Sequence, residues 1–299
     1  MTLTKPKNKI KRKLFNILMW AFRKSANLQL HTAPLNIGEV AYLDNMSNAD
    51  TTLILIHGLG AEKDTWLQFT KHLTKHFRII IPDLPGHGQS IQNLSINYSV
   101  EAQAQHIREL MQFLKIKRAQ MIGNSMGGAI AIKLTCMQPD LVSSLILIDS
   151  YGAIKTPSDM YKLAEELGYN PMLEINTKDD YKKMLSLAMV KPPFIPGFML
   201  DILTTDMKNR IVLNKKIFAD SEVDGDQIPI LSTIKVPSLV IWGRQDKVLH
   251  VDNAEIFHTE LVHCIKIVID DAGHIPMVEK PKASAKYVTE FINEINSIE

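Results

Sequence analysis

The segment Gly123–Gly128 constrains the fold of this chain more than any other part of the sequence. It reads Gly-Asn-Ser-Met-Gly-Gly and lies between an apolar run, Ala119–Ile122, and a helical pattern, Ala129–Met137. A serine at the tip of a tight turn between strand and helix needs neighbours without side-chain bulk, and glycine provides them. The segment therefore predicts a nucleophile elbow at Ser125. The alternative is a glycine-rich turn in which the serine is incidental.

Two further residues occupy the positions in the chain that a nucleophilic serine requires. A serine hydroxyl is a weak nucleophile until a histidine removes its proton, and a carboxylate orients that histidine. Asp246 and His274 each follow an apolar, strand-like run, so both are expected at the carboxyl edge of a sheet. The order Ser125, Asp246, His274 predicts a catalytic triad. Asp149, at the end of another apolar run, is the alternative acid.

The loop after the apolar run Thr52–Ile56 provides the fourth element of such a site. It reads His-Gly-Leu-Gly, and backbone N–H groups in a loop of this kind bind the oxyanion that forms during acyl transfer. We assign one donor to the N–H of Leu59 and the other to the N–H of Met126, which follows the serine. His57 is interpreted as a structural histidine that bonds the loop backbone, and His87 is given no catalytic role.

The order of apolar runs and helical patterns predicts an α/β fold with a mostly parallel, doubly wound sheet. The predicted strands are Val40–Leu43, Thr52–Ile56, Arg78–Ile81, Ala119–Ile122, Leu145–Asp149, Ser238–Trp242 and Ile265–Ile269. The predicted helices are Thr65–His76, Val100–Leu114, Ser125–Met137, Asn253–Leu261 and Lys282–Ile298. The alternation is interrupted once, in a stretch without a clear strand where prolines separate helical pieces.

These patterns divide the chain into three parts. Residues 1–35 form a basic N-terminal segment that is expected to be amphipathic. Residues 36–150 and 237–299 form the α/β core. Residues 151–236, the stretch without strands, form a helical cap, or lid, inserted between two strands of the sheet.

The cap is expected to select the substrate. It contains six of the fourteen methionines, together with Phe194 and Phe198. Flexible methionine and aromatic side chains suit an adaptable apolar pocket, so Met126, Phe194 and Phe198 are candidates for substrate contact. The alternative is that the apolar side chains of the cap pack it onto the core.

Composition limits the other classes of function. With 299 residues and 45% apolar content, the chain can bury one large core and carry an insertion. The two cysteines, Cys136 and Cys264, are too few for a disulfide framework. The sequence shows no clustered zinc ligands, no Walker loop and no Gly-x-Gly-x-x-Gly, so we expect no metal and no cofactor. Nucleic acid is not an expected partner, because no nucleic-acid-reading motif is present.

The N-terminal segment creates a strong asymmetry of charge. Residues 5–24 carry eight positive charges and no acidic residue precedes Glu39, so the rest of a chain whose formal total is +2 carries −6. The apolar stretch Leu14–Phe22 is shorter than the roughly twenty residues of a membrane-spanning helix. We expect peripheral contact between residues 5–24 and an anionic membrane, with Phe15, Trp20 and Phe22 entering the headgroup zone. A helix packed on the domain and a signal peptide are the alternatives. The expected location is cytoplasmic or peripheral to a membrane, and secretion is less expected.

Together these motifs resemble the serine α/β-hydrolase family. Within it, the chain is similar to abhydrolase-type monoacylglycerol lipases of animals and to related bacterial lipases and esterases. The similarity begins near Asn36 and continues through Pro139–Leu145, Ile241–Val248 and Gly273–Pro281. The resemblance implies an α/β-hydrolase fold and hydrolysis of a carboxylic ester or lipid, including monoacylglycerol, through an acyl-enzyme. The animal lipases carry a membrane-spanning N-terminal segment, from which this chain departs.

Two other functions are alternatives to ester hydrolysis. Carbon–carbon hydrolases of ring-cleavage products often share this elbow, but they favour a Gly-Pro-Gly-Ala oxyanion loop and an aromatic residue after the catalytic histidine. This chain has Gly-Leu-Gly-Ala at residues 58–61 and Ile275 after His274. A non-catalytic binding module of the same fold would lack a member of the triad, and all three residue types are present here.

Overall fold

Eight β-strands and twelve α-helices make up residues 6–297, the part of the chain that the computed structural model describes, with side chains from Lys9 onward. The strands are β1 (Gln29–Leu35), β2 (Gly38–Asp44), β3 (Thr52–Ile56), β4 (Arg78–Pro82), β5 (Ala119–Asn124), β6 (Val142–Ile148), β7 (Ser238–Gly243) and β8 (Cys264–Ile269). The helices are α1 (Pro6–Ser25), α2 (Leu67–Thr70), α3 (Val100–Phe113), α4 (Met126–Met137), α5 (Asp159–Leu167), α6 (Lys178–Ala188), α7 (Gly197–Asn209), α8 (Ile211–Glu222), α9 (Ile228–Leu231), α10 (Asn253–Glu260), α11 (Pro276–Glu279) and α12 (Pro281–Asn296).

All eight strands belong to one sheet, in the order β1-β2-β4-β3-β5-β6-β7-β8. Only β2 pairs antiparallel to its neighbours, β1 and β4; every other pairing is parallel. This is the mostly parallel α/β sheet that the sequence predicts, and the fold is that of an α/β hydrolase. Apolar side chains fill both faces of the sheet, because helices cover it on both sides.

The register of the strands brings the candidate residues to one edge. Ile56 of β3 lies opposite Gly123 of β5, so His57 and the elbow follow neighbouring strand ends. Asn124 lies opposite Ile148 of β6. Ile148 in turn lies opposite Ile241 of β7, and Gly243 lies opposite Ile269 of β8. The carboxyl ends of these five strands therefore form the edge at which open α/β sheets build their sites.

Two local elements differ from the sequence-based expectation. Strand β1 was not expected, because six of its seven residues are exposed or half-buried and only Ala33 is buried. An edge strand of this kind has no apolar run to reveal it, and Pro34 fits an edge position. The helix expected over Thr65–His76 is instead a 3₁₀ turn, Lys63–Trp66, followed by the short α2. After α2 the backbone N–H groups donate to carbonyl groups three or four residues earlier in the chain, and these tight turns still bury Leu73.

The stretch between β6 and β7 contains α5 to α9 and no strand. Thr177 and Asp180 form a capping box that fixes the start of α6. Met207, near the end of α7, lies so close to Gly60 that its Cε would be 3.5 Å from a Cβ at that position. Helix α7 therefore contacts the loop that follows β3.

Helix α1 packs on the molecule through one face and exposes the other. The inward face buries Phe15 and pairs Arg12 with Asp206 and Arg23 with Asp64, the shortest N–O distance being 2.5 Å in each pair. Phe15 therefore faces the protein, although it was expected to face a membrane. On the outer face Ile10, Leu14, Ile17 and Trp20 are 70%, 46%, 52% and 60% exposed. Among the described residues, no helix combines the length and hydrophobicity needed to cross a bilayer, and Lys5 lies outside them.

Candidate active site

Ser125 occupies the sharp turn between β5 and α4. Its backbone has φ 54° and ψ −124°, a conformation that a residue with a side chain adopts only under constraint. The constraint includes its N–H, which donates to the carbonyl oxygens of Ile148 at 3.2 Å and Asp149 at 3.1 Å. Its own carbonyl accepts from Tyr151 N at 3.0 Å. The turn holds Ser125 half-buried, whereas its immediate neighbours are fully buried.

The glycines of the elbow are required by close backbone approaches. A Cβ at Gly127 would lie 2.2 Å from the carbonyl oxygen of Ile56, at the end of β3. A Cβ at Gly123 would lie 2.2 Å from the carbonyl oxygen of Gly127. No heavier residue fits either position without moving the backbone, so the tight elbow depends on both glycines.

Asp246 and His274 form a buried, hydrogen-bonded pair. His274 Nδ1 donates to Asp246 Oδ2 at 2.8 Å. The other oxygen of Asp246, Oδ1, accepts from the N–H groups of Val248 at 2.7 Å and Leu249 at 3.0 Å. A carboxylate that accepts three such bonds is held in one orientation. With a proton on Nδ1, neutral His274 presents a lone pair on Nε2, as a general base requires.

The loop of His274 is fixed by groups that the sequence analysis did not single out. The side chain of Asn124, one residue before Ser125, donates to the carbonyl of His274 at 3.1 Å. His274 N donates to the carbonyl of Ala188, at the end of α6, at 2.8 Å. Gly273 N donates to the carboxylate of Glu279 at 2.6 Å. No pattern in the sequence reveals these contacts, because each joins segments that are distant in the chain or uses backbone groups.

Asp149, the alternative acid, lies beside the pair and not on the histidine nitrogen. Its Oδ1 accepts from Gly243 N at 2.8 Å, while Oδ2 has no donor among the described residues. Burial raises the pKa of Asp149 well above its ordinary range, and the charge of Asp246 raises it further. The raised pKa favours the protonated form of Asp149.

The same three side chains are close enough to share a metal ion. Each residue offers one possible ligand atom, and the three atoms, from Asp149, Asp246 and His274, lie within 4.8 Å of one another. The Nδ1–H of His274 is already used in its bond to Asp246, and a nitrogen that carries a proton has no free lone pair for a cation. A cation here would have to displace that proton, so the geometry fits an acid–histidine pair better than a metal centre.

The loop after β3 approaches the serine directly. A Cβ at Gly58 would lie 2.9 Å from Ser125 Cβ. His57 stabilises this loop: its Nδ1 donates to Gly58 O at 2.8 Å, and its Nε2 accepts from Leu84 N at 3.1 Å. Burial lowers the pKa of His57, in keeping with this neutral tautomer. The backbone of Leu59 therefore stands next to the elbow on a rigid support, and His57 has the structural role expected of it.

Comparison with known proteins supports the assignment of this fold and site to a family. A family model described as the alpha/beta hydrolase fold matches residues 51–173. Lipase 3 of Moraxella sp. (strain TA144) is 32% identical over 267 residues, which cover 88% of this chain and 84% of that protein. The chain belongs to the α/β-hydrolase family.

More remote similarity points to the lipase branch of the α/β hydrolases. Human monoacylglycerol lipase ABHD6 is 24% identical over 296 residues, covering 95% of this chain and 88% of that protein. Among solved structures, one described as a membrane phospholipase A and novel bacterial virulence factor superposes with a TM-score of 0.92 at 31% identity. That match covers 96% of this chain and 93% of the other. This α/β hydrolase is therefore lipase-like or esterase-like.

A buried ion pair fixes the chain directly after the loop that follows β3 in this α/β hydrolase. Lys63 Nζ lies 2.6 Å from Asp83 Oδ2, and both side chains are fully buried. Asp83 also accepts from the N–H groups of Lys63 and Gln89, each at 2.8 Å. Burial on its own would raise the pKa of Asp83, but the charges of Lys63 and His57 and the hydrogen bonds from Gln89 and Lys63 together outweigh it and lower the pKa. Asp83 lies in a turn rich in glycine and proline, and its pairing with Lys63 was not predicted because a lysine is rarely buried.

The three candidate substrate contacts differ in how deeply they are buried. Met126 is buried beside the elbow. Phe198 is half-buried near the start of α7. Phe194 is 91% exposed, so it does not line a buried pocket in this conformation. It lies in an extended segment that contains Pro192, Pro193 and Pro196, residues that keep the chain out of a helix and away from the core.

Proposed function

We propose that this chain is a serine carboxylic ester hydrolase, an esterase or lipase, whose substrates include medium-chain esters and monoacylglycerols. The observation that carries the proposal is the 2.8 Å bond between His274 and Asp246, in a loop that Asn124 ties to the elbow of Ser125. This arrangement brings a histidine base, an orienting acid and a constrained serine to one edge of the sheet. The similarity to lipases supports an ester or lipid substrate.

The proposed reaction begins with attack of Ser125 Oγ on the ester carbonyl. His274 Nε2 accepts the proton of the hydroxyl, and Asp246 stabilises the imidazolium that forms. The carbonyl oxygen becomes an oxyanion, which accepts hydrogen bonds from the N–H groups of Leu59 and Met126. Collapse of the tetrahedral intermediate breaks the ester bond, and His274 protonates the leaving alcohol.

A water molecule completes the reaction by the same steps. His274 removes a proton from the water, whose oxygen attacks the acyl-enzyme at its carbonyl carbon. The second tetrahedral intermediate uses the same two N–H donors. Its collapse returns the proton to Ser125 Oγ and releases the carboxylic acid. Ser125, His274, Asp246 and the two N–H donors, with the ester and one water molecule, balance these steps.

We further propose that residues 151–236 act as the cap that admits the substrate. The contact of Met207 with Gly60 and the bond from His274 N to Ala188 O support this role, because they join the cap to both sides of the site. The three-part division of the chain into segment 1–35, core and cap belongs to the same proposal. In it, Phe198 and Met126 contact the acyl chain, and exposed Phe194 contacts it only after the cap has moved.

A panel of substrates tests the activity. p-Nitrophenyl esters of increasing chain length, a monoacylglycerol and a vinylogous dienoate are assayed with the wild type and with Ser125→Ala. We expect the wild type to hydrolyse medium-chain esters and the monoacylglycerol, and the variant to be slower by about three orders of magnitude or more. Faster cleavage of the dienoate than of every ester would assign carbon–carbon hydrolysis instead. Inactivity towards the whole panel would favour a binding module.

We also propose that α1 makes peripheral contact with an anionic membrane. Ile10, Leu14, Ile17 and Trp20 form an exposed apolar strip on its outer face, and Lys13 and Lys24 are exposed on the same helix. An apolar strip flanked by lysines suits insertion into the interface of an anionic bilayer. The inward face is already satisfied by ion pairs to Asp64, Asp201 and Asp206, so α1 contacts protein and membrane through different faces.

A further inference from the structure

A cleft of about 870 Å³ separates the basic N-terminal helix α1 from α7 of the cap. Its walls are built from cationic, polar and apolar side chains of these two helices. The lining residues from α1 are Lys9, Lys11, Arg12, Lys13, Asn16, Ile17 and Trp20, and those from α7 are Asp201, Ile202, Thr205 and Asn209. Nothing in the proposed reaction uses this cleft.

Ion pairs hold the two walls together and leave an excess of positive charge. Lys11 lies 2.5 Å from Asp201, which also pairs with Lys178, and Arg12 pairs with Asp206. By contrast, Lys9 and Lys13 have no carboxylate within ion-pair distance in the described part of the chain. The cleft therefore offers two uncompensated ammonium groups on a helix that is already fixed in place.

The apolar side chains of the cleft continue into the outer strip of α1. Trp20 and Ile17 line the cleft and are also more than half exposed, next to Ile10 and Leu14 on the outer face. A ligand with an anionic group alone would leave these side chains in water. A ligand with an anionic head and an adjoining apolar tail satisfies the lysines and the strip together.

We propose that this cleft binds the phosphate headgroup of an anionic membrane phospholipid. Lys9 and Lys13 donate to the phosphate oxygens, and Trp20 lies at the level of the glycerol backbone with its ring towards the acyl chains. The ion pairs to α7 preorganise the site, which lowers the entropy lost on binding. The proposal rests on the membrane contact proposed above and is independent of ester hydrolysis.

Tryptophan fluorescence provides a direct readout. Of the three tryptophans, Trp66 and Trp242 are fully buried and Trp20 is 60% exposed, so acrylamide quenching reports on Trp20. The full-length protein is titrated with short-chain phosphatidylglycerol below its micelle concentration. Phosphatidylcholine of the same chain length and inorganic phosphate are titrated in parallel. We expect saturable protection of Trp20 by phosphatidylglycerol only.

Two double variants that lose the same charge distinguish a specific lipid-binding site from general electrostatic attraction. Lys9→Gln/Lys13→Gln removes the two free lysines of the cleft, and Lys117→Gln/Lys282→Gln removes two exposed lysines elsewhere. Two cations near a lipid phosphate change affinity by about thirtyfold. We expect a loss of that size in the cleft variant and no more than a twofold change in the control. The same loss in both variants overturns the proposal, because net charge alone would then explain binding.

The titrations with inorganic phosphate and phosphatidylcholine also test the proposal. Equal protection by inorganic phosphate would show an anion site without lipid recognition, and equal binding of phosphatidylcholine would show apolar partition without a headgroup site; either result overturns the proposal. Turnover of a water-soluble ester is measured separately on the wild-type protein. Turnover without lipid binding would contradict the lipid site and support the proposed activity. Lipid binding without turnover would support the lipid site and contradict the proposed activity.

Discussion

Asp149 and Asp246 place two carboxyl groups within 4.8 Å of the same histidine, but only Asp246 bonds to it. Asp246 is fixed by two backbone N–H groups, whereas Asp149 receives one, from Gly243. Burial and the charge of Asp246 raise the pKa of Asp149, which favours the neutral form of Asp149. Asp246, the acid that the sequence analysis preferred, and Asp149, its alternative, therefore lie in different environments beside the same histidine.

The first prediction concerns activity. Asp246→Asn should lower turnover about a thousandfold or more, because the amide favours the wrong tautomer of His274. Asp149→Asn should change turnover by less than tenfold, since a neutral amide resembles the neutral acid and tolerates the positive φ of 44° at this position. Both variants are assayed with a soluble ester. Severe loss in Asp149→Asn with a mild effect in Asp246→Asn would show that the acids are reversed.

The second prediction is the pH dependence of stability. Because the pKa of Asp149 is higher in the folded protein than its ordinary value of 3.8, its contribution to stability is greatest below that value and decreases as the pH rises towards the folded pKa. Asp149→Asn has no ionisable group at this position, so it does not lose stability in this way as the pH rises. The free energy of unfolding of the variant relative to wild type should therefore increase with pH, by at most about 1.4 kcal/mol per unit.

Urea denaturation at several values between pH 5 and 7 measures this difference. The exposed acid Asp140 provides the control, since Asp140→Asn should leave the difference from wild type constant with pH. A constant difference for Asp149→Asn as well would mean that Asp149 is ionised in the folded protein.

The third prediction concerns the nucleophile. Ser125→Ala should lower ester hydrolysis by about three orders of magnitude or more, leaving only binding and the oxyanion donors. A serine-directed phosphonate should label the wild type and not the variant, which mass spectrometry detects. Undiminished labelling of Ser125→Ala would place the nucleophile elsewhere.

The fourth prediction concerns the buried ion pair between Lys63 and Asp83. Lys63→Met should destabilise the protein by about 3–5 kcal/mol, because it leaves Asp83 buried without a counterion. Lys63→Met/Asp83→Asn should lose less than the single variant, since it leaves no unpaired charge. Urea midpoints compare these with Lys286→Met, which breaks only an exposed pair with Glu290. Because the folded pKa of Asp83 is lowered, the pair stabilises the protein above about pH 4 and ceases to do so as the pH falls further.

The fifth prediction concerns the outer strip of α1. Ile10→Ser/Leu14→Ser should weaken binding to anionic vesicles roughly tenfold at high salt, where the electrostatic attraction is screened and apolar insertion persists. Leu94→Ser/Val262→Ser removes two side chains of comparable exposure elsewhere and serves as the control. Co-sedimentation with vesicles measures both. Equal binding of the two variants would leave α1 as a helix that only packs on the domain.

The sequence predicted the core strands well because they are continuous apolar runs with few alternatives. Strand β3 begins and ends where expected, and Ser125, Asp246 and His274 follow strand ends as predicted. Those positions are visible because a parallel sheet places its strand ends, and hence the residues after them, at one edge. The catalytic roles of these residues stay a prediction until the variants above are assayed.

What the sequence could not predict depends on contacts between distant segments. The bond from Asn124 to His274 spans 150 positions, and its residue type has no distinctive pattern. Phe15 and Trp20 look alike as aromatic residues of one basic helix, and only the position of α7 and the core decides that Phe15 faces inward. The exposed position of Phe194 likewise follows from the path of a proline-rich loop.

The bond from His274 N to Ala188 O means that the proposed general base takes part of its position from the last turn of α6. Lys191 N, three residues further on, donates to Glu279, whose other oxygen receives Gly273 N. Replacing the proposed cap of this protein with that of a relative would therefore change the position of His274 as well as the proposed acyl pocket. In chimeric proteins, substrate preference and catalytic rate should be inherited together.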